Sequence, residues 1–463
     1  MWSNLAMNDV VANLRTALGD DRVDTDPDER FWADWSGHGA SRPLAVVRPR
    51  STDEVATVLR ICHAAGQTVV PQGGRSGLAG GGTPTEADLV VSLEAFSGIE
   101  EIDTAAGTMT VRAGTILEAA QQAAAEHGLE LAYDLGARGS CQIGGNLATN
   151  AGGNRVVRYG MAREQVLGIE VVLADGTVIS SLTKMLKNNA GYDLKHVFIG
   201  SEGTLGIITR AVLRLHPRSR TRVTALCSTP SYGATVDLLR HAQRTTGGVT
   251  AFEVMWPEFY RFMSEARGGL SPISHGAPMY VLVEISGDDP DHDEQRFEAM
   301  LADAHETGLV LDATVAHSAK DTSALWSLRE SEPLDQVASP VNFDISLPIG
   351  HIEEFVVECR RRLADRWPAV LTFPFGHIAD SNLHMTVSIG PTDHDGLHAI
   401  DETVYGTVRD WGGSVSAEHG IGTHKRPFLS YSRSDAEIDV MRRIKAALDP
   451  TGILNPGKVI PAR

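Results

Sequence analysis

Residues 71–82 read PQGGRSGLAGGG, and a strand pattern, DLVVSL at residues 88–93, follows directly. Six glycines stand between Gly73 and Gly82. A turn needs one or two. This density suits a backbone that wraps phosphate groups with its own N–H donors. The flanking elements decide the fold. A Rossmann loop joins a strand to a helix, so that the helix N-terminus meets the pyrophosphate. Here a strand precedes the loop at residues 68–71 and another follows it. The Gly-Lys-Ser/Thr of a P-loop is also missing. The loop therefore predicts a phosphate-bearing cofactor held by backbone N–H groups, with Arg75 and Ser76 beside them.

Working outward, residues 44–48 form a short apolar strand. Ser51 and Glu54 make a capping box for a helix running to about residue 65, which Gly66 ends. Two further segments are rich in glycine and small polar residues: DLGARGSCQIGGNLATNAGGNRVVRYG at 134–160 and NNAGYDLKHVFIGSEGTLGIIT at 188–209. Taken singly, they could be turn-rich β structure and a helix-to-strand link. Three such loops in one stretch of chain are hard to explain without one large ligand that the backbone approaches closely.

A second signal lies late in the chain. Residues 375–390 read FGHIADSNLHMTVSIG and residues 416–429 read SAEHGIGTHKRPFL. If residues 372–377 and 384–388 are the arms of a hairpin turning at Asp380, Ser381 and Asn382, then His377 and His384 lie symmetrically about its tip. Cross-strand partners have Cβ atoms roughly 5 Å apart, a span one metal can bridge. Glu418 would be the third ligand. Two histidines and a carboxylate suit zinc and leave positions open for substrate. His419 is the candidate base. His424, beside Lys425 and Arg426, reads as a solvated loop residue.

Composition narrows the classes. At 463 residues, 42% of them hydrophobic, the chain predicts two or three domains. A net charge of −18 argues against a nucleic-acid partner. No apolar run is long enough to span a membrane, and the N-terminus has no secretory pattern. Cys62, Cys141, Cys227 and Cys359 are scattered, which removes support for iron–sulfur, Cys-type zinc and disulfide frameworks. No GxSxG surrounds the serines near His419. The expected location is cytoplasmic, with peripheral association with a membrane left open.

The three glycine loops, in this order and spacing, resemble the flavin-binding domain of the vanillyl-alcohol-oxidase type. The late His and Glu-His motifs resemble FAD-dependent D-2-hydroxyacid dehydrogenases: the D-lactate and D-2-hydroxyglutarate dehydrogenases and the glycolate oxidase D subunit. The resemblance covers roughly residues 40–460. It implies an α+β fold with an FAD-binding domain over residues 1–218, including an N-terminal helical lead. A cap or substrate domain is expected over 219–410, and a C-terminal segment over 411–463 that returns to the flavin. It implies FAD contacts from Pro71, Gly73, Gly74, Arg75, Ser76, Gly77 and Leu78 in the first loop. Gly136, Ser140, Gly144, Asn146, Thr149 and Gly152 serve in the second, Glu202, Gly206 and Ile207 in the third, and Asn455 near the end. Some relatives attach FAD through a histidine in the first loop. This loop has none, so non-covalent FAD is expected.

The implied reaction oxidises a small 2-hydroxy acid. A divalent metal, zinc in type by its ligand set, binds the acid's carboxylate and hydroxyl oxygens, His419 takes the hydroxyl proton, and the Cα hydride goes to the flavin. WSLRESEP at 326–333 resembles the segment whose arginine grips the substrate carboxylate, and Arg329 falls on it. Some D-2-hydroxyglutarate enzymes carry a hydroxyl residue, a lysine and an asparagine where this chain has Pro333, Asn342 and Thr386. The missing lysine favours a D-lactate-like monocarboxylate, with D-2-hydroxyglutarate as the alternative. The same architecture also serves alkylglycerone-phosphate synthases, which are transferases, and a non-catalytic flavin-binding protein is the remaining class. A quinone or an electron-transfer flavoprotein is the expected electron acceptor, and a homodimer is a further expectation. Near the end, a helix over about 435–448 is expected to place Ile438, Met441, Ile444 and Leu448 on one face.

Overall fold

In the computed structural model, which describes residues 2–461, the chain divides into two compact units. The first comprises Met1–Gly153, Tyr159–Arg218 and Glu418–Arg463; the second comprises Asn154–Arg158 and Ser219–Ala417. The C-terminal return therefore begins at Glu418 rather than at residue 411. A five-residue piece of the second glycine segment also belongs to the second unit. There Arg155 pairs with buried Glu284 at 2.9 Å, and Arg158 donates to Gly248 O and Ser286 O.

The first unit holds two main sheets and a two-stranded pairing of His216–Pro217 with Leu129–Glu130. One orders strands Val23–Asp24, Ala45–Val47, Leu89–Ser92 and Val69–Gln72, the last three parallel. The glycine loop thus joins two neighbouring parallel strands with no long helix between them. Helix Thr52–Ala65 packs here. Ser51 Oγ accepts from Glu54 N, and Gly66 closes the helix in the left-handed region. The second sheet is antiparallel, ordering Ile99–Asp103, Thr108–Arg112, Ile207–Arg214, Val166–Val172 and Val178–Ser181. Separate apolar clusters, around Val55, Leu59 and Val91 and around Val111, Ile143 and Leu213, bury the two sheets. Helix Asp435–Leu448 has the expected bounds and a capping box of Ser434 with Glu437. Only part of its expected face is covered: Ile438 is buried, while Ile444 is exposed.

The second unit is built on a seven-stranded antiparallel sheet ordering Asp312–Val315, Thr221–Thr229, Met279–Gly287, Val249–Met255, Leu371–Gly376, Asn382–Ser388 and Val341–Ser346. Alternation separates its faces. Along the last strand Phe343 meets Tyr405 of helix His394–Asp410 edge-on at 5.2 Å. Asn342 and Asp344 therefore point the other way. On that second face, Met255, Phe373 and Phe375 pack with Leu325 and Leu328 at the end of helix Ala319–Ser327. This packing delivers Arg329, the next residue, onto the polar end of the same face. Asp293, in the acidic stretch 288–294, is buried at the start of helix Asp293–Glu306, where it accepts from Thr221 Oγ1.

All four cysteines are free and buried. Burial pushes the Cys62, Cys227 and Cys359 thiols up to about 12. At pH 8 the thiolate fraction of such a group is about 10³-fold below that of an ordinary cysteine. The folded protein should therefore resist alkylation by iodoacetamide and take up four labels per chain only after denaturation. Rapid labelling of the native protein, read by intact mass, would contradict this.

Candidate active site

The hairpin forms, with a different register. Strand Leu371–Gly376 ends in a turn, Ile378–Asp380, and strand Asn382–Ser388 returns. His384 lies opposite Phe375, not His377. His377 sits just beyond the strand. Ser381, in the left-handed region, closes the turn, and Asn382 N donates to His377 O at 3.2 Å. A side chain at Gly376 would come within 2.5 Å of Asn382 O, so this close approach needs glycine. The histidines still meet. Their ring centroids are 5.3 Å apart at 81°, and a ring nitrogen of each lies within 4.8 Å of the other.

Buried partners hold them. His377 Nδ1 lies 2.6 Å from Glu253 Oε1, and Arg329 Nε donates to Glu253 Oε2 at 2.6 Å. Arg329 Nη2 lies 3.3 Å from His377 Nε2, and its guanidinium stacks over Phe375 at 4.5 Å. Burial alone would raise the Glu253 pKa; the neighbouring His377 and Arg329 outweigh it and hold the carboxyl at about 2. Next along the face, Asp344 is the register partner of His384, and Ala417 N donates to Asp344 Oδ2 at 3.2 Å. Asn342 pairs with Thr386: Thr386 Oγ1 donates to Asn342 Oδ1 at 2.7 Å. Pro333 is the second residue of the 3-10 turn Glu332–Gln336.

The first unit brings the three glycine loops together, and several glycines are needed for chain packing rather than for a ligand. A Cβ on Gly74 would lie 2.1 Å from Ser140 O, one on Gly144 would lie 2.7 Å from Ala113 Cβ, and one on Gly206 would lie 2.5 Å from Val171 Cγ1. A Cβ on Gly136 or Gly145 would meet nothing within 4 Å, and one on Gly73 would have Gln142 and Gly145 as its nearest neighbours, at 3.5–3.6 Å. Pro71 lies on the strand before the loop, and a Cβ on Gly77 would approach Asp34. Ser76 is half-buried, Leu78 exposed, Gly152 buried, and Ile207 opens a strand of the antiparallel sheet. Ser140 Oγ donates to Ala137 O, Asn146 Nδ2 to Cys141 Sγ, and Thr149 Oγ1 to Gly145 O. Arg75 lies over Phe31 and 3.7 Å from Glu94.

Two expected cofactor residues have structural work. Glu202 accepts from Ile421 N at 2.7 Å and Gly422 N at 2.8 Å. Burial pushes its carboxyl above the usual range, against those two N–H groups. Asn455 Nδ2 donates to Gly81 O and Glu202 O. Thr423 N and His424 N both donate to Ala79 O. The turn carrying Glu418 and His419, both half-buried, is thereby pinned to the first glycine loop, and Gly153 N donates to Glu418 Oε1. His424 is half-buried and stacks on His38 at 4.5 Å, and Lys425 is buried, so this is no solvated loop.

The sequence reading missed Glu253, Asp344 and Asn382. Asn382 is buried, and neither polar atom of its amide has a hydrogen-bond partner among the described residues. It shares a strand face with His384.

Comparison with known proteins fits both halves. Residues 43–181 match the FAD binding domain, and residues 218–459 match the C-terminal domain of FAD linked oxidases. A mitochondrial D-2-hydroxyglutarate dehydrogenase of Bos taurus is 39% identical over 467 residues, covering 99% of this chain and 85% of that one. A D-2-hydroxyglutarate dehydrogenase of Stutzerimonas stutzeri (strain A1501) is 35% identical over 463 residues, covering 98% of this chain and 99% of that one. Among solved structures, an alkyldihydroxyacetonephosphate synthase superposes with a TM-score of 0.77, covering 97% of this chain and 86% of that one. At 18% identity that likeness is one of fold.

Proposed function

The chain belongs to the FAD-linked oxidases and is an FAD-dependent oxidoreductase, and on that premise we propose that it oxidises a D-2-hydroxy acid to the 2-oxo acid with a divalent metal. The observation that carries this reading is the cluster at one end of the second unit's sheet: two histidines with ring nitrogens within 4.8 Å of one another, beside an arginine. Two imidazoles suit zinc. Glu418, the third candidate ligand, follows directly on Ala417, whose N–H is bonded to Asp344, the register partner of His384. The open faces of Gly136 and Gly145, with the unpartnered buried oxygens of Gln142 and Asn455, suit a large polar cofactor.

When bound, FAD supplies the acceptor for the Cα hydride and the metal supplies a Lewis acid for the hydroxyl oxygen. The chain's residues do the rest. Arg329 pairs with the substrate's α-carboxylate through its terminal nitrogens. His419 takes the hydroxyl proton as the Cα–H bond breaks, which leaves a neutral carbonyl product. Asn382 offers an amide to a ligand. A quinone or an electron-transfer flavoprotein would reoxidise the cofactor. Four free buried cysteines suit a reducing compartment such as the cytoplasm, and among the described residues no helix is long and apolar enough to cross a membrane.

Turnover with an artificial electron-accepting dye tests the reading. D-2-hydroxy acids should be oxidised and their L-enantiomers should not; a chain loaded with FAD and zinc that oxidises neither would overturn it. The flavin should also be non-covalent, because residues 71–82 hold no histidine. Acid precipitation should leave the yellow colour in the supernatant, and colour in the washed pellet would count against it.

Substrate size follows from charge. Arg329 serves the α-carboxylate, and a second carboxylate needs its own cation, since stripping water from an unpaired charge costs several kcal/mol. Asn342 and Thr386 are neutral and satisfy each other, while Arg360 and Arg362 are paired with Glu258 and Asp410. We expect D-lactate or a larger monocarboxylic D-2-hydroxy acid to exceed D-2-hydroxyglutarate in kcat/KM, and Asn342→Lys to shift preference toward the dicarboxylate. The names of the Bos taurus and Stutzerimonas stutzeri relatives favour the second reading. A native preference for D-2-hydroxyglutarate would establish it.

A further inference from the structure

We infer that Glu253 is a positioning residue that sets the metal-binding nitrogen of His377 and the carboxylate-binding end of Arg329 together, an inference that rests on the proposed roles of those two residues. Glu253 is 1% exposed in strand Val249–Met255, and each of its oxygens serves one partner at 2.6 Å. A carboxylate opposite Nδ1 requires a proton there, which places the lone pair of neutral His377 on Nε2. The other oxygen engages Arg329 through Nε, which turns the terminal nitrogens, one of them (Nη2) already facing His377 Nε2, toward the ligand side, while Phe375 packs against the guanidinium. Arg329 Nη2 and His377 Nε2 are 3.3 Å apart. A carboxylate gripped by the arginine would therefore lie beside the ligand nitrogen, as bidentate binding of a 2-hydroxy acid to the metal requires. An ion pair with a purely structural role would affect stability without governing which histidine nitrogen carries the proton.

Glu253→Gln separates the two roles. A glutamine at this site has one oxygen and one NH2 group. The guanidinium cannot give up its proton, so the oxygen must face Arg329 and the NH2 must face His377 Nδ1. His377 then becomes the Nε2–H tautomer, with its lone pair turned to the wrong nitrogen. In FAD-loaded protein, zinc affinity measured by chelator competition should fall about 10- to 100-fold, and KM for the D-2-hydroxy acid should rise, with the flavin spectrum unchanged. Equal zinc affinity in wild type and variant overturns the inference. A wild type that binds no stoichiometric zinc overturns the proposed function instead. Should the variant not fold, ¹⁵N spectra of histidine-labelled wild-type holoenzyme decide: protonated Nδ1 with metal on Nε2 of His377 supports the inference, and the reverse tautomer overturns it.

Discussion

His384→Ala should lower kcat/KM by about 10³-fold or more, with FAD still bound and zinc lost. The size follows from what a metal does for a hydroxyl leaving its proton, which is worth several kcal/mol, and each 1.36 kcal/mol is a factor of ten. The loss should be local. His384 lies on the polar face of strand Asn382–Ser388, while Leu383, Met385 and Val387 bury the other face, so an alanine leaves the sheet's apolar packing in place. Phe375 opposite it remains held by Phe259, stacked at 4.2 Å. Chelation of the wild-type protein should reproduce the loss, and added zinc should reverse it in the wild type alone. Metal content by emission spectroscopy and turnover with a dye check both; a variant with full metal and full activity would remove His384 from the site.

His419→Ala should lower kcat by about 10²- to 10⁴-fold, the range of a positioned general base. FAD and zinc should both stay bound. The reason lies in how the turn is built: Glu202 holds Ile421 and Gly422 through backbone N–H groups, and Ala79 O holds Thr423 and His424. None of these bonds uses the imidazole, so removing it leaves Glu418 and the turn where they are. The dependence of kcat on pH separates this from a packing role. The wild type should lose activity as pH falls and the imidazole takes a proton, and the variant should lose that acidic limb. A variant with the same limb and a rate within a few-fold of wild type would assign the base elsewhere.

The features readable in the sequence were those whose signals are short-range. Ser51 with Glu54 announces a helix because a cap and its partner are three residues apart. The glycine loop excluded a Rossmann fold because the strands on both sides adjoin it. The histidine hairpin was legible for the same reason, although not its register: Ser381 closes the turn so that His384 faces Phe375 and His377 lies beyond the strand. What the sequence hid depends on long-range pairing. Glu253 is a single carboxylate in VTAFEVM, 124 residues before His377 and 76 before Arg329, and nothing local marks it. Glu202 sits among the cofactor loops, yet its carboxylate serves a turn more than 200 residues later. Ile444 lies on the expected helix face yet stays exposed, because periodicity names a face and not what covers it.

Anaerobic mixing with each enantiomer of a panel of 2-hydroxy acids, followed by flavin absorbance in a single turnover, tests the central claim most directly, because it needs no electron acceptor. Bleaching by D-2-hydroxy acids, with the matching 2-oxo acid formed one per flavin and the L-enantiomers inert, is the result expected. A flavin that stays oxidised with every D-2-hydroxy acid in protein holding both FAD and zinc, or that bleaches as readily with L-enantiomers, would contradict it.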